Sequence, residues 1–333
     1  MTASPIISDR PWTLRKVAPL LGFALILIVA VLYESSLDRQ WAFVGATVSF
    51  IKRGIAEGGF IGYLTAAAGL VVYGLHAIIR PLIILGVFLL VEVLLIGPPR
   101  SWRTTLFALC VQATIVVVTL MTAPFLARLL PSALPIGPLI RLDQADLPLW
   151  LGVAAPVMLA IASIFAMNFA QYWVHRLQHT IPILWRFHSV HHSIEDMDAM
   201  NSYTHPLDNL LERVGFMLMA TLIGFNFETL ILIVGFMSIH DRLLHTRAPI
   251  NFGPLGWLLV DNRYHFMHHS VLPQDYGRNY SAWFSVWDRM FGTYRKPHPS
   301  VLPATGVDDI LPPRTISQFL LARMERRPGT PSA

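Results

Sequence analysis

The chain carries a single cysteine, Cys110, within an apolar stretch of its 333 residues. One isolated cysteine excludes disulfide frameworks, cysteine-ligated zinc and iron–sulfur clusters. No His-Glu-x-x-His is present, which removes the metalloprotease signature and its built-in general base. The paired Glu-x-x-His motifs of carboxylate di-iron bundles are missing as well. No Gly-x-Gly-x-x-Gly follows a strand and no haem-attachment motif occurs, so neither a bound dinucleotide nor an attached haem is expected. Charged residues are scarce, at 14%. The net charge of +5 and pI near 9.6 come without a nucleic-acid motif or a basic stripe, so nucleic acid is not an expected partner.

Histidine is what the chain has. Eleven of its 13 histidines fall between His175 and His269, where length alone would place about 4. They are ordered as His-Arg-Leu-Gln-His at 175–179, His-Ser-Val-His-His at 188–192 and His-Phe-Met-His-His at 265–269. Residues three and four apart share one helical face, with Cβ atoms roughly 5–6 Å apart. His175 and His179 therefore present two ring nitrogens from one helix. His188, His191 and His192 form a three-nitrogen patch on another, and His265, His268 and His269 repeat it. Eight imidazoles exceed what one metal needs, so we expect a pair of metals in an all-nitrogen site. Such donors suit iron, copper, nickel or zinc, and the shortage of carboxylates argues against a magnesium or calcium site. His240 and His245 are further expected ligands. They are five apart, about 140° round a helix, so both face one metal only if the helix ends or bends between them. His205 is expected beside the metals as a partner of a ligand, and Tyr172, Asp241 and Asp261 as groups that fix histidine tautomers. His76 and His298 stand alone and are read as ordinary structural residues.

The second feature is the membrane. Val17–Tyr33, Phe60–Ile79, Pro81–Gly97, Thr104–Ala127 and Pro148–Ala170 are apolar runs near the length of about 20 residues that spans a bilayer. Arg80-Pro81 is the expected break between two of them, because proline removes a backbone donor and clashes with the preceding turn. Thr2–Arg15 is polar and mixed, without the cleavage pattern of a removable signal peptide. From His240 onward the chain has eleven Lys or Arg residues, which places the C-terminus and His265–His269 in the cytoplasm.

One segment decides the topology. Val214–Ile239 is apolar and lies between histidine clusters that must meet. A single crossing would put His188–His192 and His265–His269 on opposite faces. The break Gly224-Phe225-Asn226-Phe227-Glu228 instead predicts a re-entrant hairpin of two short arms. The C-terminal third reads as a soluble cap, with Asn251–Gly256 as a turn. Tyr280–Trp287 and Phe291–Tyr294 suit either a membrane interface or the packed core of that cap. Leu302–Pro313 is proline-rich and reads as a loop, and Arg326–Ala333 as a frayed tail. The expected fold is all-α: a polytopic helical membrane protein with transmembrane and re-entrant hairpins, and a cytosolic helical cap carrying the histidine site. The expected divisions are an N-terminal transmembrane region at 1–147, a catalytic domain at 148–300, and a C-terminal loop and tail at 301–333.

Several strings together resemble one family. Tyr172-Trp173-Val174-His175-Arg176, Leu184-Trp185-Arg186-Phe187-His188 through Ser193, His265–His269, and Trp287-Asp288-Arg289-Met290-Phe291-Gly292-Thr293 look like the fatty acid hydroxylase/sterol desaturase superfamily. The resemblance covers roughly residues 155–296. It implies an integral-membrane di-iron oxygenase acting on lipid C–H bonds, with His175, His179, His188, His191, His192, His265, His268 and His269 as metal ligands. Ile239-His240-Asp241 and His205-Pro206-Leu207-Asp208 are similar to the sterol desaturase branch. His245-Thr246 with Asn251–Gly256 is more similar to the alkylglycerol monooxygenase branch.

The expected function is therefore hydroxylation or desaturation of a fatty acyl, sterol or related lipid, with O2 as co-substrate and two iron ions. Zinc is an expected substitute in purified protein, since imidazole sites accept several divalent metals. With no cofactor motif of its own, the chain needs a separate electron donor, such as a ferredoxin, or a cytochrome b5-like protein with its reductase. Two rival readings are a zinc hydrolase, with Glu195 or Asp196 as general base, and a metal transporter or sensor.

Overall fold

The computed structural model describes residues 37–99, 101–133, 154–224, 239–248, 250–298 and 302–328, with isolated positions Pro138, Ile233 and Met237 between them. The Thr2–Arg15 stretch, the Val17–Tyr33 run, the start of Pro148–Ala170, the tip Phe225–Glu228 and the end of the C-terminal tail lie outside the described residues. Among the described residues the regular structure is helical, with isolated bridges such as Leu259 to Phe284 and no strand. The all-α expectation holds.

The first helix, α1 (Leu37–Glu57), turns at Gly58-Gly59 and packs along α2 (Gly59–Leu95). Their backbones approach closely: a Cβ on Gly54 would sit 2.6 Å from the carbonyl oxygen of Gly62. Only glycine permits that distance. Helix α2 runs unbroken for 37 residues through Pro81, so the expected break at Arg80-Pro81 does not occur. The physical reason is that proline costs a helix one hydrogen bond, and the bonds on either side of it are kept when the helix continues. Helix α3 (Trp102–Ala133) packs back on α2, with Leu85, Ala108 and Val111 buried between them.

Helix α4 (Ala154–Thr180) is 27 residues, roughly 40 Å at 1.5 Å per residue, and is the axis of the site. Pro182 opens α5 (Pro182–His192) at its first turn, where the missing N–H is not needed. His205 caps α6 (Pro206–Ile223), which stops at Gly224 in the left-handed region, φ 69°. That is the expected break. Further along the sequence, Ile233 and Met237 are buried with Met167 of α4, against Phe216 and Met219 of α6. The chain thus returns along the helix it left, and residues 239–244 are again helical.

The C-terminal third is built from short helices: α7 (Asn262–His268), α8 (Val286–Met290) and α9 (Ile316–Leu320). Its aromatics Tyr280, Trp283, Phe284 and Trp287 are buried, packed against α4. They form the core of the cap. Residues 302–328 are a strap: Thr305 donates to the Ile194 carbonyl at 2.9 Å, and Gly306 N donates to the His269 carbonyl at 3.3 Å. Arg327, at the start of the expected tail, is held by Glu195 at 2.6 Å. Val190 and Ile194 flanking the α5 histidines, Phe266 of α7 and Phe319 of α9 share one buried cluster. The backs of two histidine-bearing helices therefore rest on the strap.

Among the described residues no helix is long and apolar enough to cross a membrane. The flanks of α2, α3 and α4 do expose large apolar side chains, among them Phe60, Leu70, Leu90, Leu106 and Ile161.

Candidate metal centre

Nine histidines meet in two adjoining groups. His175, His179, His188, His192 and His268 form one, and His191, His245, His265 and His269 the other, with the ligating atoms of each group within 4.8 Å of one another. Helical phase produces the split. On α5, His188 and His192 are one turn apart and join the first group, while His191 faces the second. On α7 and its C-cap, His265 and His269 pair in the same way and His268 crosses to the first group. The two groups touch where the rings of His192 and His269 stack at 4.1 Å.

The outer ring nitrogens are held by acceptors. Nδ1 of His175 donates to the Tyr280 carbonyl at 2.7 Å, that of His191 to the Tyr203 carbonyl at 3.1 Å, and that of His245 to the Asp241 carbonyl at 2.7 Å. His268 donates in the same way to the Arg278 carbonyl at 2.7 Å, and His188 to the Asp208 carboxylate at 2.8 Å. A carbonyl only accepts, so the Nδ1 atoms of His175, His191, His245 and His268 carry the proton and leave Nε2 facing inward. Burial, and then repulsion by neighbouring imidazoles, holds His191, His192, His265 and His269 well below the usual histidine pKa. Burial drives His268 down to about 3.

The Nε2 atoms then face one another. Nε2 of His175 lies 3.1 Å from Nε2 of His188, and Nε2 of His191 lies 3.3 Å from that of His245. The buried Nε2 atoms of His179, His192 and His268 have no hydrogen-bond partner. Buried nitrogens without protons are satisfied by a cation, and neighbouring nitrogens on one ion would stand roughly 3–3.4 Å apart at bond lengths of about 2.0–2.1 Å. The residues fit a metal in each group. His179 alone among the nine is only partly buried, and the Trp185 ring stands 5.0 Å from it.

The other expected residues take different places. His240 is outside both groups and lies on the Trp283 ring at 3.9 Å. The helix ends at Leu244, so His245 swings to the centre while His240 keeps its helical direction. His205 does not reach a ligand: its Nδ1 accepts from Leu207 N and its Nε2 donates to the Leu320 carbonyl. Tyr172 is bonded to Thr293 and Arg176, not to a histidine. Asp261 caps α7 through Tyr264 N and pairs with Arg263. Asp241 does fix a tautomer, but through its main-chain carbonyl, with its carboxylate 3.7 Å away.

Residues 160–293, which bracket both groups, match the fatty acid hydroxylase family. Over these residues the chain resembles that family. The chain is 30% identical over 138 residues to an alkylglycerol monooxygenase of Xenopus tropicalis, covering 41% of this chain and 30% of that protein. It is 29% identical over 131 residues to an ornithine lipid hydroxylase of Rhizobium tropici, covering 39% and 40%. A Delta(7)-sterol-C5(6)-desaturase of Nicotiana tabacum is 27% identical over 146 residues, covering 42% and 51%. The chain thus spans about a third to a half of the length of these relatives. No solved structure matches it.

The matched region holds its histidines with groups that the sequence analysis gave no role at the metals. Asp208 takes His188 on one oxygen and Gln178 on the other, at 2.6 Å. Its sequence signals were its place in the His205-Pro206-Leu207-Asp208 string and a carboxylate in the first turn of a helix just after the second cluster. Asp288 is fully buried and accepts from Tyr264, Thr293, Tyr280 N and Ser281 N. It thereby fixes Tyr280, whose carbonyl orients His175. The carbonyls of Tyr203, Tyr280 and Arg278 have no side-chain signature at all.

Proposed function

We propose that this chain is a membrane-embedded oxygenase that uses two iron ions, O2 and external electrons to oxidise a C–H bond of a lipid. The observation that carries the reading is the pair of adjoining groups of bare imidazole nitrogens. His175, His179, His188, His192 and His268 would hold one ion, and His191, His245, His265 and His269 the other. A redox metal pair, when bound, supplies the reduction of O2 and the oxidising power for an unactivated C–H bond. Hydroxylation balances as lipid, O2, two electrons and two protons giving an alcohol and water, with the electrons from a separate protein donor. Desaturation on the same residues removes two hydrogens and leaves both oxygens in water.

The protein's share is orientation and dryness. The carbonyls of Tyr203, Tyr280, Arg278 and Asp241 and the carboxylate of Asp208 lock the Nδ1 protons outward, so the Nε2 atoms need no reorganisation to bind metal. Burial excludes water from the groups except toward His179, and Trp185 beside it offers an apolar wall to a lipid chain. The relatives' names, which refer to alkylglycerol, ornithine lipid and sterol, support a lipid substrate class. The exposed apolar flanks of α2–α4, together with the apolar runs in the sequence, support helices set in the bilayer. The catalytic unit is then 148–300, following a membrane region at 1–147. Glu195, one general base the hydrolase reading had available, is instead spent on Arg327 at the surface.

The test is lipid mass spectrometry of cells expressing wild type or His268→Ala, grown under 18O2. One 18O atom gained by a lipid only with wild type is the expected result, or loss of two hydrogens if the outcome is desaturation. No O2-dependent lipid change with a working reductant would overturn the reading.

A further inference from the structure

The most exposed apolar group on the cap is not among the aromatics that its sequence advertises. Leu255, Trp257 and Met290 are 62%, 64% and 64% exposed, with Leu258 beside them. They belong to the short 3-10 turn Gly253–Trp257 and to the end of α8. This prong is rigidly held. Gly253 N donates to the Asn251 side chain at 2.8 Å, and Gly253 adopts φ 58°, a conformation that suits glycine. Arg263 ties Asn251 down at 2.9 Å. The Trp257 carbonyl accepts from Ser285 at 2.7 Å and from Arg289 at 3.2 Å. A solvent-facing turn gains nothing from displaying a tryptophan and two large aliphatics on so fixed a base.

Its position in the fold identifies what covers it. Leu258 and Val260 are hydrogen-bonded to Ser285 and Trp283, and the Phe284 ring lies 5.4 Å from Phe165 of α4. Phe165, Ile161 and Met158 are themselves exposed on α4. The prong therefore continues the apolar flank of α4, at the level where that helix passes from apolar residues to its histidines. Arg289 sits over the rings of Tyr294, at 3.6 Å, and Trp257, at 5.1 Å. Tryptophan with arginine beside an apolar flank is the composition of a membrane–water interface.

We propose that the turn Gly253–Trp257 and Met290 dock into the headgroup–acyl boundary of the bilayer, anchoring the histidine cap on the lipid surface. The proposal rests on the membrane-embedded reading above. The depth expected for such a contact is roughly 5–10 Å into the boundary. Anchoring there fixes the height of the metal groups above the acyl chains, through α8 and the Asp288 network that holds Tyr280.

The experiment uses the full chain in nanodiscs, in a Cys110→Ala background, with one fluorophore-labelled cysteine at a time. The positions are Trp257→Cys, Met290→Cys, Ile161→Cys on the α4 flank and Arg323→Cys on the exposed strap. The expected result is loss of fluorescence at 257 and 290 with phospholipids brominated near the headgroup end of the chain. Ile161 should instead be quenched most by chain-end bromines, and Arg323 by neither. Quenching at 161 with none at 257 or 290 would overturn the prong and leave the embedded reading standing. No quenching at any position would overturn both.

Discussion

At the scale of single residues, orientation decides which histidines matter. His240 and His245 are five apart, and only His245 turns inward because the helix ends before it. His245→Ala is expected to lower bound metal to one ion per chain, whereas His240→Ala keeps two, as read by metal analysis after anaerobic reconstitution. Asp208→Ala leaves the His188 Nδ1 proton without its acceptor, and iron affinity should fall about 10–100-fold in a ferrous titration. The eight motif histidines were legible in the sequence because helical spacing is local information. The carbonyls that set their tautomers were not, since every residue has one and only the fold aims it. Protonation follows the same geometry. The folded-state pKa values of His191, His192 and His268 lie below the unfolded value near 6.5, so below that pH the unfolded chain binds more protons. Metal-free protein should therefore lose stability as pH falls from about 6.5 toward 3, the value reached by His268. Thermal unfolding of metal-free protein at pH 7.5 and 5.5 checks this, with the lower midpoint expected at 5.5.

At the scale of elements, long-range packing overrules local signals. Pro81 predicted two helices and α2 is one, because one lost hydrogen bond does not outweigh the bonds kept on either side of it. The Gly224 break was legible, since glycine in the left-handed region is a local stop. Gly224→Ala should destabilise the protein by about 1 kcal/mol in denaturant titration, a strain cost of the positive φ. The strap is the opposite case. Residues 302–328 read as loop and tail, yet Thr305 and Arg327 bond partners more than a hundred residues away. Phe319 is fully buried between Tyr203 and His205, and no periodicity announces it. Phe319→Ala should cost about 3–5 kcal/mol, seen as an earlier unfolding midpoint, and loosen both histidine helices that rest on that cluster.

At the scale of the molecule, an apolar helical base presents a polar-cored cap whose centre is almost entirely imidazole. The expectation of two metals came from number alone, because eight ordered imidazoles exceed one coordination sphere, and the described residues gather them into two groups. It left open how they divide, since a linear motif does not say which turn faces which neighbour. The fold divides both triplets, so that α5 and α7 each serve both groups. Any substitution in either triplet should therefore perturb one ion while its helix still reaches the other. The most direct measurement is Mössbauer spectroscopy of 57Fe-reconstituted protein, with iron counted per chain, for wild type, His179→Ala and His245→Ala. Two nitrogen-ligated irons in wild type, with loss of a different one in each variant, is the expected result. One iron per chain in wild type, or the same signal lost from both variants, would contradict the two-centre arrangement.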